Sequence, residues 1–170
     1  GDDESNLGSV PEADQFFYDS LASKERNYYG GVLFCDYDKR VFRGELAQKV
    51  IGWAKERNIL SMVDPKVKNA SDAERHRGVD VVKPNLDEAR LLVGDTKKQF
   101  SSEQLVSRLR EHMTSRYAVI TLGEGGAITY DGGFHEVLTR AREVSDVSGA
   151  GDTTAAALML SLLSGASIVE

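Results

Sequence analysis

The stretch Gly30-Gly31-Val32-Leu33-Phe34-Cys35-Asp36 opens the part of the sequence that decides the fold. Four apolar residues behind a pair of glycines predict a short buried strand. Apolar residues then recur at three- and four-residue spacing, which predicts a helix over 44–57 with Trp53 in the core. A second apolar run, 59–63, predicts another strand. A strand, a helix and a strand in this order indicate parallel pairing through a crossover helix.

The same alternation extends to both sides of this unit. We predict an earlier helix near 16–21, strands at 79–82 and 117–121, helices at 86–93 and 102–115, a hairpin of strands 127–130 and 134–138, and a terminal helix that starts near residue 150. The predicted fold class is therefore α/β, a sandwich with a mostly parallel central sheet flanked by helices.

Length and composition limit the domain organisation. The chain has 170 residues, of which 41% are hydrophobic and 28% charged, and this suits one domain with an ordinary core. We expect a flexible polar tail over 1–10 and a domain over 11–170. No apolar run approaches the roughly 20 residues that cross a bilayer, so we expect a cytoplasmic protein without a membrane partner.

Charge and cysteine content exclude several classes of function. A net charge of −6 without a basic stripe argues against a nucleic-acid partner, and the basic cluster at 75–77 is interpreted as solvated surface. The single cysteine, Cys35, rules out an internal disulfide and is expected to serve packing. The three histidines lack metal-ligand spacing and are expected to be surface or structural residues.

The sequence Asp146-Val147-Ser148-Gly149-Ala150-Gly151-Asp152-Thr153 carries the strongest chemical signal. Gly149 and Gly151 have no Cβ, so the backbone can present its N–H groups to a ligand at the start of the terminal helix. A helix N-terminus attracts anions, and Asp152 lies within its first turn. The pattern suggests a base beside a transferring phosphate, although ordinary helix capping selects the same residue types.

Polar residues follow each predicted parallel strand. These segments are 36–39, 64–66, 83–88 and 122–126. Ligands bind open α/β sheets beyond the carboxyl ends of the strands, so chemistry is expected at this edge. Asn85 and Glu88 are three residues apart at a helix start, a spacing that suits a hydrated Mg²⁺ ion beside phosphates. The alternative for this pair is a capped helix.

Three of these segments resemble motifs of the ribokinase-like (PfkB) carbohydrate kinases. The glycine-rich sequence ending at Asp152 matches that family's Asp-x-x-Gly-Ala-Gly-Asp signature, Asn85 and Glu88 match its Asn-x-x-Glu motif, and 121–126 resembles its Thr-x-Gly-x-x-Gly segment. The resemblance implies a ribokinase-like sandwich that uses ATP and Mg²⁺ to phosphorylate a sugar hydroxyl.

The resemblance also implies a role for each matching residue. Asp152 would be the catalytic base, and Gly149, Ala150 and Gly151 would form the anion hole for the γ-phosphate. Nucleotide and phosphates would be bound by Asn85, Glu88, Thr121, Gly123 and Gly126. Glu88 would hold Mg²⁺ through water, and Asp36 and Lys39 would lie on the substrate side.

Within the family, the sequence is most similar to the kinase domain of the bifunctional bacterial enzymes that make ADP-heptose. Asp36-Tyr37-Asp38-Lys39 and Asp64-Pro65-Lys66 carry this similarity, whereas Arg40 and Lys83 depart from the subgroup's glycine and threonine. Family members usually have roughly 300 residues in one domain, so the resemblance implies an ATP-binding half truncated at both ends.

The expected function is thus an ATP-dependent sugar kinase similar to D-glycero-D-manno-heptose 7-phosphate 1-kinases. Three alternatives stay open: a nucleotide-binding module without kinase activity, a kinase of this family for another sugar, and an α/β scaffold domain with an accidental glycine turn. The expected partners are ATP and a small sugar or sugar phosphate. A homo-oligomer or a complementary segment is left open as a further partner.

Overall fold

A computed structural model describes residues 11–25, 27–36, 45–68, 70–138 and 149–169. Its helices and strands, numbered in chain order, are α1 (Pro11–Ala22), β1 (Gly31–Asp36), α2 (Leu46–Arg57), β2 (Leu60–Pro65), β3 (Val81–Val82), α3 (Leu86–Leu92), α4 (Ser102–Met113), β4 (Tyr117–Thr121), β5 (Ala127–Tyr130), β6 (Phe134–Val137) and α5 (Ala150–Leu163). Short 3-10 helices cover Ala70–His76 and Gly123–Gly125.

The strands of the described residues form one six-stranded sheet in which spatial order equals chain order, from β1 to β6. β1 to β4 pair in parallel, and β4, β5 and β6 pair antiparallel. The predicted mostly parallel α/β sheet is confirmed. The hairpin of β5 and β6 is also confirmed, and its strands nearly match the predicted bounds.

Two layers of apolar side chains cover the sheet. Residues from α1, α2, α3 and α4 share one buried cluster with Phe34 and Val63, whereas α5 packs on the opposite face through Ala155 and Met159. Trp53 of α2 is 2% exposed, which confirms its predicted place in the core. α5 lies over β1 and β2, so its first turn reaches the carboxyl ends of these strands.

β3 is shorter than the predicted strand 79–82 because hydrogen bonds to side chains replace backbone hydrogen bonds between the strands at its start. The carboxylate of Asp80 accepts hydrogen bonds from the Ser61 backbone N–H at 2.8 Å and from the Ser61 hydroxyl at 2.7 Å. The Asp80 N–H in turn donates to Ser61 Oγ at 3.0 Å. Pro84 follows soon after β3 and has no N–H to donate.

Among the described residues, no helix is long and apolar enough to cross a membrane.

The basic cluster 75–77 was predicted to be solvated surface, and this is wrong for His76. The segment that follows β2 contains the 3-10 helix Ala70–His76, and the His76 side chain is fully buried at its end. Its ring lies edge-on to Phe34, with the ring centroids 5.4 Å apart. Burial, followed by the charge of Arg75, lowers the pKa of His76 to about 4.

This burial predicts a loss of stability on acidification. Between pH 6.5 and 4 the unfolded chain binds a proton at His76 that the folded chain does not, so the folded state loses stability as the pH falls. From the two pKa values, His76 accounts for about 2 kcal/mol of lost unfolding free energy between about pH 7 and pH 5. Urea denaturation across this range should show a clearly smaller loss in His76→Phe, and an unchanged pH dependence would contradict the assignment.

Candidate active site

The first turn of α5 leaves backbone N–H groups available to a ligand. Gly149 precedes the helix with φ 84°, a left-handed conformation that glycine adopts without steric cost. The first N–H groups of a helix have no partner within the helix, so residues 150–152 direct theirs away from its N-terminus. Asp152 is the acidic residue of this turn. The preceding part of the motif, 146–148, lies outside the described residues.

Three polar side chains lie side by side beneath this turn. Cys35 of β1 is the Cα partner of Asp64 in β2, and the β2–β3 register places Lys83 next to Asp64. Alternation along the strands puts all three side chains on the face that α5 covers. A Cβ built on Gly151 would lie 3.8 Å from Asp64 Oδ2, so the glycine turn rests directly above this row.

Asp64 and Lys83 form a buried ion pair. Lys83 Nζ lies 3.2 Å from Asp64 Oδ1, and the side chains are 2% and 5% exposed respectively. Burial raises the pKa of Asp64, Lys83 and Lys66 oppose that rise, and the charge of Asp152 adds to it. Burial, then Asp152 and Asp64, likewise raises the pKa of the Cys35 thiol. Asp152 therefore lies close enough to act electrostatically on both neighbours, and Cys35 is held as a neutral thiol.

Asn85 and Glu88 close a capping box at the start of α3. The Glu88 N–H donates to Asn85 Oδ1 at 2.9 Å, and the Asn85 N–H donates to Glu88 Oε2 at 2.8 Å. The capped helix, which was the alternative to a magnesium site for this pair, is therefore present. The other oxygen, Glu88 Oε1, lies 3.5 Å from Lys66 Nζ. Asn85 is exposed, so its amide group faces solvent while it caps the helix.

The segment 121–126 is the turn between β4 and β5. Thr121 donates its N–H to the Pro84 carbonyl at 3.1 Å and forms a parallel bridge with Asn85. Gly123 and Gly126 have φ of 61° and 89°, which allow the chain to reverse through a 3-10 turn. The Asn-x-x-Glu and Thr-x-Gly-x-x-Gly segments are thereby adjacent at the carboxyl edge of the sheet.

The structure thus brings most of the predicted site residues to one edge. β1 ends at Asp36, but the side chain of Asp36 and the whole of Lys39 lie outside the described residues. The polar segments after the strands include Asp64, Lys66 and Lys83, but no role in the site was predicted for these residues. Asp64 and Lys83 could have been noticed because each is the charged residue directly after one of two adjacent predicted strands.

The donors at this edge suit a magnesium ion only if phosphates complete its shell. In the part of the chain that is described, no three His, Cys, Asp or Glu side chains cluster as a metal cage. Mg²⁺ commonly uses one or two carboxylates together with water and substrate phosphates. Glu88 can offer such a site only Oε1, the oxygen that faces Lys66, because Oε2 accepts the Asn85 N–H.

A mostly parallel α/β sheet with a glycine-rich helix start and a carboxylate at its carboxyl edge is the arrangement expected of the ribokinase-like kinases that the motifs resemble. The sequence profile described as pfkB family carbohydrate kinase matches residues 4–170. The chain belongs to this family.

Curated relatives carry the name bifunctional protein HldE. The protein of Campylobacter concisus is 34% identical over 140 residues, which cover 82% of this chain and 29% of that protein. The one from Sulfurimonas denitrificans is 35% identical and covers 89% of this chain and 31% of that protein. This chain therefore spans about a third of the length of these relatives.

Solved structures share the fold. Phosphofructokinase-2 from Escherichia coli in complex with potassium has a TM-score of 0.71 at 20% identity, over 92% of this chain and 51% of that chain. Arabidopsis thaliana ribokinase, complexed with ribose and ATP, has a TM-score of 0.64 at 20% identity, over 82% and 45%. Both structures confirm the ribokinase-like fold that the motifs imply.

Proposed function

We propose that this chain forms the nucleotide-binding and phosphoryl-transfer part of an ATP-dependent sugar kinase. One observation carries the proposal: the first turn of α5, with its glycines and Asp152, lies directly above the Asp64–Lys83 pair. A helix N-terminus with a neighbouring ammonium group favours phosphate, while Asp152 offers a carboxylate beside it. Phosphoryl transfer depends mainly on such positioning and charge stabilisation.

Each group then has a definite task. The N–H groups of Gly149, Ala150 and Gly151 would donate to the γ-phosphate oxygens as charge develops on them. Asp152 would accept the proton of the attacking sugar hydroxyl. Mg²⁺ held near Glu88 would neutralise phosphate charge when bound.

The nucleotide would lie along the remaining segments of this edge. Thr121, Gly123 and Gly126 form the β4–β5 turn beside Asn85, and this turn offers backbone groups to a ribose and its phosphates. Asp36 and Lys39 are proposed for the sugar side because Asp36 ends β1, beside the end of β2 that carries Asp64, and Lys39 follows soon after it in the sequence.

For the substrate we propose a heptose 7-phosphate phosphorylated at its anomeric hydroxyl, a step toward ADP-heptose for lipopolysaccharide. Two findings support this choice: the relatives named HldE and the subgroup sequences Asp36–Lys39 and Asp64–Lys66. Another sugar phosphate is the natural competitor, because fructose-6-phosphate is bound in a phosphofructokinase-2 structure with the same fold.

A nucleotide-binding module without turnover is the second candidate. The chain spans only 29% and 31% of the two curated relatives, so the groups that hold a sugar could belong to the remaining length.

Two measurements test both candidates. The first is calorimetric titration with ATP, with and without Mg²⁺. The second is ADP release in the presence of D-glycero-D-manno-heptose 7-phosphate, fructose 6-phosphate or ribose. We expect ATP binding and ADP release that the heptose phosphate stimulates most. Binding without sugar-stimulated release would favour the module. Absence of ATP binding would overturn both and leave the scaffold alternative.

A further inference from the structure

Two lysines at the carboxyl edge differ sharply in their freedom to meet a ligand. The Lys83 side chain is 2% exposed, and its ammonium group is held 3.2 Å from Asp64. The Lys66 side chain is 44% exposed and follows the end of β2. Lys83 can therefore contribute charge from beneath the site, whereas Lys66 can reach a molecule above it.

Lys66 is paired loosely with one carboxylate and acts on a second through its charge. Its Nζ lies 3.5 Å from Glu88 Oε1, and its charge is one of those that oppose the raised pKa of Asp64. The partner carboxylate does not depend on this contact, because Glu88 Oε2 already accepts the Asn85 N–H at 2.8 Å. The Lys66 side chain is 44% exposed, and Glu88 keeps the hydrogen bond from Asn85 without it, so Lys66 can leave Glu88 at small cost.

We infer that Lys66 is a phosphate-contacting residue, held by Glu88 before the nucleotide binds and transferred to a phosphate oxygen when it binds. The inference rests on the proposed function and assigns it a mobile cation that the family motifs do not include. A lysine ammonium group on a flexible four-carbon stem is suited to such a transfer, since it acts as a point charge without fixed geometry. Glu88 is then the residue that positions Lys66.

The test is calorimetric titration of Lys66→Met with ATP and with adenosine, in EDTA so that no metal contributes. Methionine keeps most of the stem and removes the charge. We expect ATP affinity to fall about 10-fold or more, as for loss of a charge-assisted contact, with adenosine affinity unchanged. Lys49→Met, at an exposed position of α2, is the matched control and should bind ATP like the wild type.

A second variant separates positioning from a structural role. Glu88→Gln keeps an oxygen for the Asn85 N–H but removes the competitor for Lys66, so metal-free ATP affinity should rise several-fold. That gain should be smaller when Lys66→Met is also present, which a double-mutant cycle measures.

The remaining outcomes distinguish failure of this inference from failure of the proposed function. Wild-type protein that binds no ATP overturns the proposed function together with this inference. Wild-type protein that binds ATP while Lys66→Met binds it equally well overturns the inference alone. Equal losses for ATP and adenosine in Lys66→Met, with a lower unfolding midpoint, would show a structural role and also overturn it.

Discussion

Replacing Asp152 by asparagine is expected to lower kcat at least about 100-fold, the lower range for loss of a general base. The asparagine side chain would keep the size and polarity of the original in the first turn of α5 but could not accept a proton. ATP affinity should be equal or higher, because a negative charge beside the phosphates is removed. The measurements are sugar-stimulated ADP release at saturating ATP and Mg²⁺, and calorimetric ATP binding.

Asp19→Asn is the matched control for this substitution. Asp19 is an exposed carboxylate on α1 that accepts a hydrogen bond from Gln15, and α1 packs on the face of the sheet opposite α5. Its turnover should equal that of the wild type. Near-normal kcat in Asp152→Asn would remove Asp152 from the role of base, and a matching loss of ATP affinity would point to a misfolded helix start.

Replacing Lys83 by methionine is expected to cost about 3–5 kcal/mol of unfolding free energy at neutral pH, the usual effect of leaving a buried charge without its partner. Methionine occupies most of the space of the lysine stem, so the cost comes from Asp64. The pKa of Asp64 is already raised by burial and should rise further. A raised carboxyl pKa favours the folded state at low pH, so the deficit relative to wild type should shrink as the pH falls.

Urea denaturation of both proteins at about pH 7.5 and pH 5 measures this difference and cancels the separate titration of His76. The double variant Asp64→Leu/Lys83→Met should recover most of the loss, because a buried pair can be replaced by apolar side chains at little net cost. A deficit below about 1 kcal/mol at both pH values, typical of surface pairs, would contradict the buried pair.

The apolar pattern was sufficient to predict most of the fold. Val32–Cys35 and 59–63 are apolar almost throughout because parallel strands are covered on both faces, and α2 shows the spacing of a helix with one buried side. The pattern could not predict where β3 begins, since Asp80 and Ser61 replace ladder bonds through their side chains. Such exchanges depend on two strands being adjacent, which no local sequence window contains.

The parts of the candidate site that a sequence motif specifies could be predicted from the sequence. The ion pair between residues of neighbouring strands could not. Gly149 takes a left-handed conformation, which its missing Cβ permits. Asp64 and Lys83 each look like solvated residues after a strand, and they become buried only because the register sets them side by side. His76 is similar, since its two arginine neighbours suggested solvent while its ring lies against Phe34.

The agreement between strand order and chain order has a consequence for how the molecule is made. Each strand pairs with the one synthesised just before it, so the sheet can grow from one edge during translation with little loop-closure entropy at each step. α5 is the exception, because it returns over β1 and β2 after the six described strands. The glycine turn therefore reaches Asp64 after the described strands, and we expect the candidate active site to form only when the sheet beneath it is already in place.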